Sequence, residues 1–196
     1  MKAVNIGVVG LGRLGIKHAE NLAFKIPKAN LIAVCAMEEE RLEEVKREWG
    51  IPYTYKSFDE MIKNEELDAV LIASPSGLHT GQISKALEAG LHVFSEKPLG
   101  TSVEECKIAE KAVEKYKDKV FMLGFMRRYD ESYLFAKEKI KSGEIGKPIL
   151  FRGYSQDPER FIDGAIAYAG HSGGEFLDMS VHDIDLARWY LDSEPD

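Results

Sequence analysis

The segment Gly10-Leu11-Gly12-Arg13-Leu14-Gly15 follows the apolar run Ile6 to Val9 and precedes an amphipathic stretch that starts at Arg13. A strand that enters a glycine turn of this spacing and leaves as a helix fits few folds. The first glycine permits the tight turn, the second lets backbone approach a pyrophosphate, and the third lets helix and strand pack closely. At Arg13 and Leu14 the helix N-terminus offers amides and partial positive charge to phosphate oxygens. The turn therefore points to a dinucleotide site, with a purely structural glycine turn as the rival reading.

The rest of the first half agrees with that start. Strand-like runs at Val4 to Val9, Leu31 to Ala36, Ala69 to Ala73, His92 to Phe94 and Val120 to Leu123 alternate with helical patterns, and Tyr53 to Tyr55 is a weaker strand. The helical patterns are Arg13 to Lys25, Glu39 to Glu48, Phe58 to Lys63, Thr80 to Ala89 and Val103 to Lys117. Short β-branched runs alternating with amphipathic helices predict an α/β fold, a doubly wound parallel sheet of the Rossmann type. Thr101 and Ser102 before Glu104 and Glu105 read as a capped helix start. After Leu123 the texture changes. Asp130 to Lys141 reads as a helix, Pro148 to Ser155 as a strand, Gln156 to Gly174 as a long glycine-bearing loop and Glu175 to Leu191 as a helix. One strand and two helices do not make a second self-sufficient core.

Bulk properties exclude several classes. The 196 residues carry a formal charge of −7, so nucleic acid and anionic membrane have no electrostatic attraction to the chain as a whole. The longest apolar run, Leu31 to Met37, is far shorter than the roughly 18 residues of a membrane span. The N-terminus lacks the apolar core and cleavage site of a signal peptide, so a cytoplasmic location is the expectation. Cys35 and Cys106, the only cysteines, read as reduced and structural.

Candidate site residues follow from position and chemistry. The first carboxylate after the second strand is Glu38, which can accept hydrogen bonds from the adenine ribose or simply begin the acidic first turn of the next helix. NAD is favoured, and NADP stays open. Ser74, Pro75, His79, Glu96 and Lys97 follow strands at the carboxyl edge of the sheet, where ligands of such sheets bind. His79 reads either as lining the nicotinamide side or as capping a helix. Lys97 can hydrogen-bond a reacting oxygen and stabilise alkoxide character, with an exposed lysine paired to Glu96 as the alternative. In the last helix Asp178, His182 and Asp185 stand at i, i+4 and i+7, within about 60° of one another at 3.6 residues per turn. That spacing suggests His182 as the base, Asp178 as its support and Asp185 as a ligand for a substrate hydroxyl. His171, Asp178 and His182 match no strong zinc spacing, and no metal is expected.

Several segments in order resemble the Gfo/Idh/MocA family of oxidoreductases. They are Gly7 to Gly12 with His18-Ala19, Ala73 to His79, Glu96-Lys97-Pro98-Leu99, Gly124 to Asp130, and Gly173-Gly174 followed by Asp178, His182, Asp183 and Asp185. The resemblance implies a Rossmann domain over 1–123 and, from 124, the start of an α+β substrate domain on a mostly antiparallel sheet. It further implies hydride transfer between a nicotinamide cofactor and a secondary alcohol of a polyol or sugar, nearest to the inositol dehydrogenase branch. Catalysis by Lys97, Asp178 and His182, Arg127 near substrate and a cis peptide at Lys97–Pro98 also follow from it; Arg128 reads equally well as a surface ion-pair partner. Two positions depart from the family pattern. Ala36 stands where many NAD-using members have aspartate, and the Tyr154 to Glu159 loop offers Gln156 and Asp157 in place of an asparagine. A chain ending at Asp196 is expected to hold only part of the substrate domain, which would leave apolar faces uncovered and open to self-association as a homo-oligomer. Two rival functions remain at this point, an NAD-dependent glycosidase of the same broad family and a cofactor-binding fragment without turnover.

Overall fold

A computed structural model describes residues 3–156, 158–170 and 172–195, which places Asp157 and His171 outside the described residues. By its internal contacts the chain divides into two compact units, Met1–Leu123 and Gly124–Asp196.

In the first unit, six parallel strands form one sheet in the order β3-β2-β1-β4-β5-β6. They are β1 (Val4–Val9), β2 (Ala29–Cys35), β3 (Tyr53–Tyr55), β4 (Ala69–Ile72), β5 (His92–Ser95) and β6 (Phe121–Leu123). Helices α1 (Gly15–Phe24), α2 (Glu39–Trp49), α3 (Phe58–Met61), α4 (His79–Glu88) and α5 (Val103–Lys115) connect them. Strands fully covered on both faces should be apolar at every position, because successive side chains point to opposite sides. The two cores obey that rule. Val9, Val70 and Ile72 join Ile83, Leu87 and Met61 on one face, while Val8 and Leu71 join Leu22, Val34 and Val45 on the other.

Local chemistry sets the helix ends. At α5 the Ser102 hydroxyl accepts from the Glu105 amide at 3.2 Å, and the Glu105 carboxylate accepts from the Thr101 amide and hydroxyl at 2.6 and 2.8 Å. This reciprocal cap satisfies donors that the helix leaves orphaned. Those bonds, the Thr101 amide first, hold the Glu105 carboxyl below its ordinary value. Helix α2 stops at Gly50, whose φ of +67° is the left-handed conformation that closes helices.

The second unit departs from the expectations at three places. It contains α6 (Glu131–Lys141), α7 (Ile162–Tyr168) and α8 (Val181–Leu191). Residues 148–155, expected as a strand, form no ladder, because no other segment described in this unit offers a strand edge; Ile149 is 94% exposed. The expected loop 156–174 contains α7: Pro158 sets the entry to a helical turn at Glu159–Phe161, and Ala165 and Ala167 outweigh Gly164 as helix formers. The expected single helix 175–191 is divided. Phe176–Ser180 form a π-helical turn, and regular α-helix begins only at Val181. Along α8, Ile184 is exposed, whereas Leu186 is buried.

Candidate active site

The glycine turn sits where the strand order reverses. The chain runs from β1 outward through β2 and β3, then restarts beside β1 with β4, so the carboxyl ends of β1 and β4 flank the crevice that binds ligands in such sheets. Gly10 has φ +89°, and a Cβ there would lie 2.5 Å from the Ala73 carbonyl oxygen; the Gly10 amide donates to the Cys35 carbonyl at 2.9 Å. At Gly15 a Cβ would lie 1.8 Å from the Gly10 carbonyl oxygen, so the first turn of α1 rests directly on the loop. Gly12 differs. A Cβ there would meet no atom within 4 Å, which leaves over the turn the open space that a pyrophosphate requires. Arg13 and Leu14 are exposed beside it, and Glu38 is exposed at the entry to α2, where its side chain makes no capping hydrogen bond.

The loops after β4 and β5 reach the same edge. Ser74 donates its hydroxyl to Gln82 Oε1 at 2.6 Å, and Pro75 is exposed. His79 is 1% exposed at the start of α4, with Nδ1 2.8 Å from the Pro98 carbonyl oxygen and Nε2 2.8 Å from the Ser74 carbonyl oxygen. Both ring nitrogens thus face backbone inside the unit, so His79 ties the two loops together and presents no polar edge outward. The Lys97–Pro98 peptide is cis, and Lys97 is half-buried between Glu96 and buried Pro98.

In the second unit the expected site residues fall into two groups. His182, at the start of α8, meets the Phe125 ring edge-on at 6.3 Å between centroids, and Asp178 lies in the π-helical turn. A wider turn therefore separates Asp178 from His182, and the uniform α-helical spacing assumed from sequence does not apply across it. Asp185 and Arg127 are committed elsewhere. Both Asp185 oxygens receive Arg128, from Nε at 2.8 Å and Nη2 at 2.7 Å, so the carboxylate read as a substrate ligand is held by an internal partner. Arg127 donates from Nη1 to Asp183 Oδ1 and from Nη2 to Ser155 Oγ, each at 2.7 Å, and Ser155 in turn donates to Asp183 Oδ2 at 2.6 Å.

Sequence reasoning missed Asp183 and Ser155, although Asp183 sits beside His182 in the motif. It gave no role to His18, which figured only in the first resembling segment and whose Nε2 lies 2.7 Å from Glu96 Oε1. For His18 a signal existed in its position three residues past Gly15, on the first turn of α1.

Asp183 makes the acid behaviour of this unit testable. Burial alone would raise its carboxyl, but the Ser155 hydroxyl, the Arg127 guanidinium and the charge of His182 hold it below the ordinary value. A depressed native value contributes stability above the unfolded value of about 3.9, and that contribution disappears as pH falls through the lower native value. Against wild type, Asp183→Asn should therefore show a flatter loss of stability below about pH 4. Urea unfolding followed at Trp189, in a Trp49→Phe background, measures the difference, and superimposable acid limbs would refute it.

The glycine cradle, its open face and the reversal of strand order together define the first unit as an NAD-binding Rossmann domain. The chain belongs to the Gfo/Idh/MocA oxidoreductase family. The profile described as "Oxidoreductase family, NAD-binding Rossmann fold" matches residues 4–125, and that of the family's C-terminal domain matches residues 133–196. The chain is 43% identical over 195 residues to the scyllo-inositol 2-dehydrogenase (NAD(+)) of Bacillus subtilis, covering 97% of this chain and 55% of that one. It is 38% identical over 193 residues to the myo-inositol 2-dehydrogenase of Thermotoga maritima, covering 97% and 56%. Among solved structures, scyllo-inositol dehydrogenase from Lactobacillus casei with bound NAD(H) and scyllo-inositol superposes with a TM-score of 0.93 at 45% identity, over 98% of this chain and 57% of that one. The chain thus spans about half the length of the curated relatives it matches. Among the described residues no helix is long and apolar enough to cross a membrane.

Proposed function

We propose that the protein takes part in NAD-dependent oxidation of a secondary alcohol on an inositol or closely related polyol, with residues 1–123 as the cofactor domain and residues 124–196 as part of the substrate domain. The observation that carries this reading is Lys97, placed after β5 at the same carboxyl edge of the sheet as the open Gly10–Gly15 turn. When bound there, NAD supplies the hydride acceptor. The turn from Gly10 to Gly15, with the amides of Arg13 and Leu14, holds the pyrophosphate, and Glu38 takes the adenine ribose. Lys97 hydrogen-bonds the reacting oxygen and stabilises its developing negative charge. His182 accepts the hydroxyl proton, and Asp178 supports the imidazolium that results. Arg127 and Asp185, engaged with Asp183, Ser155 and Arg128, serve as the framework that holds α8 rather than as substrate ligands.

Names of relatives at 38 to 43% identity support the polyol class. A cytoplasmic location accords with two free cysteines, of which Cys35 is buried and has its thiol pushed up to about 11 by that burial and by the nearby Glu60 charge. Exposed Ile149, Leu150 and Tyr154 support self-association in the second unit.

The reading is tested by calorimetry with NAD and by NADH absorbance with a panel of inositols and glucose. Two proteins are assayed, the 196-residue chain and a chimera carrying the C-terminal part of the Bacillus subtilis relative. The expected result is NAD binding by both and inositol-dependent NADH formation by the chimera. Lys97→Ala should lower that rate by about a hundredfold or more while leaving NAD bound. A chimera that binds NAD and oxidises no polyol would refute the proposal.

A further inference from the structure

His18 stands outside the glycine turn and outside the reacting groups, yet its contacts join the two. It lies on the first full turn of α1, the helix whose N-terminus faces the phosphate site. Its Nε2 is 2.7 Å from Glu96 Oε1, and its ring packs on Phe94 at 5.6 Å between centroids with a 60° tilt. The other oxygen, Glu96 Oε2, accepts from the backbone amide of Lys97 at 3.3 Å. Glu96 is itself fixed, because its amide donates to the Ile72 carbonyl at 2.8 Å and its own carbonyl accepts from the Ser95 hydroxyl at 3.0 Å. One carboxylate thus holds the backbone of Lys97 with one oxygen and α1 with the other. An ionised carboxylate only accepts, so Nε2 of His18 carries the proton in this contact.

We propose that His18 is a positioning residue which, through Glu96, couples occupation of the phosphate turn on α1 to the placement of Lys97. The reasoning is mechanical. The carboxylate bridge is charge-assisted on the His18 side and largely buried, while Phe94 limits the ring to a narrow set of orientations. A dinucleotide that fixes the start of α1 therefore also fixes His18, and the segment Glu96–Lys97 follows. His79 restrains the same segment from the β4 side through the Pro98 carbonyl, and the Glu96 contact restrains it from the α1 side. The inference rests on the reading of Lys97 given above.

Three variants of the 196-residue chain test it: His18→Phe keeps a ring over Phe94 without the donor, His18→Gln keeps a donor, and Glu96→Gln keeps the shape of the acceptor without its charge. The readouts are the NAD dissociation constant by calorimetry and amide exchange at Lys97 with and without NAD. His18→Phe should weaken NAD about tenfold, as loss of an orienting partner commonly does, and should abolish the protection that NAD confers on the Lys97 amide. His18→Gln should stay within about threefold of wild type, and His18→Phe combined with Glu96→Gln should be no worse than either alone, as for residues in one network. Additive losses, or protection of Lys97 by NAD that survives His18→Phe, would overturn the coupling. Failure of the wild-type chain to bind NAD would overturn both the coupling and the cofactor site. Loss of polyol turnover in the chimera, with the exchange coupling intact, would overturn only the role of Lys97.

Discussion

Gly15→Ala should lower the stability of the first unit by about 3 kcal/mol or more and abolish NAD binding, whereas Gly12→Ala should leave stability within about 0.5 kcal/mol of wild type while still weakening NAD. The two glycines share a turn and differ in what surrounds them. A methyl at Gly15 would sit 1.8 Å from the Gly10 carbonyl oxygen and 3.3 Å from the Ala73 side chain. The colliding atom belongs to backbone that is itself fixed, since the Gly10 amide is bonded to Cys35. No rotamer change relieves such a clash, so α1 must move away from the sheet. Ordinary overpacking costs 1 to 3 kcal/mol, and a collision with a held carbonyl belongs at or beyond the top of that range. At Gly12 the methyl meets nothing within 4 Å, so only the approach of a ligand is obstructed. Thermal melts and calorimetry on both variants separate the effects. A normal melt for Gly15→Ala would mean that α1 does not rest on the turn as described.

Arg128→Ala should destabilise the second unit by about 3 kcal/mol, the lower end of the cost of breaking a buried pair. The reason is the charge left behind. Asp185 is 3% exposed and receives two hydrogen bonds from Arg128, whose own side chain is 38% exposed. Removing the guanidinium strands a buried carboxylate, and the partial exposure of Arg128 is what keeps the cost from the upper end. Asp185→Leu in the same chain should recover most of the loss, because both charges are then gone. Arg128 also lies over the Trp189 ring at 5.7 Å, so urea unfolding followed at that tryptophan reports on the region directly. An Arg128→Ala midpoint equal to that of wild type would show that Asp185 has another partner of equal worth.

How far each unit was legible follows from the range of the interactions that shape it. In the first, the central strands β1 and β4 are apolar on both faces where they enter the core, each helix has a period of its own, and the glycine turn needs only six consecutive residues. All of that is local. Even the capping pair Ser102 and Glu105 could be read from spacing. The second unit depends on partners far apart in sequence. Nothing local tells a strand from an extended segment at 148–155, because a strand exists only where another edge receives it. Hydrophobic periodicity located the helix ending at Leu191 but could not detect the π-helical turn, since one wider turn shifts the phase without breaking the pattern. The internal engagement of Asp185 escaped sequence reasoning for a related reason. Its partner Arg128 lies 57 residues away, and sequence spacing alone made Arg128 an equally good surface residue. His18 was overlooked because its meaning arises only when β5 brings Glu96 alongside α1, 78 residues away.

The π-helical turn at Phe176–Ser180 acts as a rotational spacer. In a regular helix each residue advances by about 100°, so the angle between Asp178 and His182 would follow from their separation alone. With Asp178 inside the wider turn, that angle depends on how many residues the turn holds after it, and hardly at all on which they are. A single deletion between Asp178 and α8 would swing Asp178 by about a quarter of a revolution about the helix axis relative to the side chains of α8. The relation between the two groups is therefore encoded as a length, robust to substitution and sensitive to one change in register.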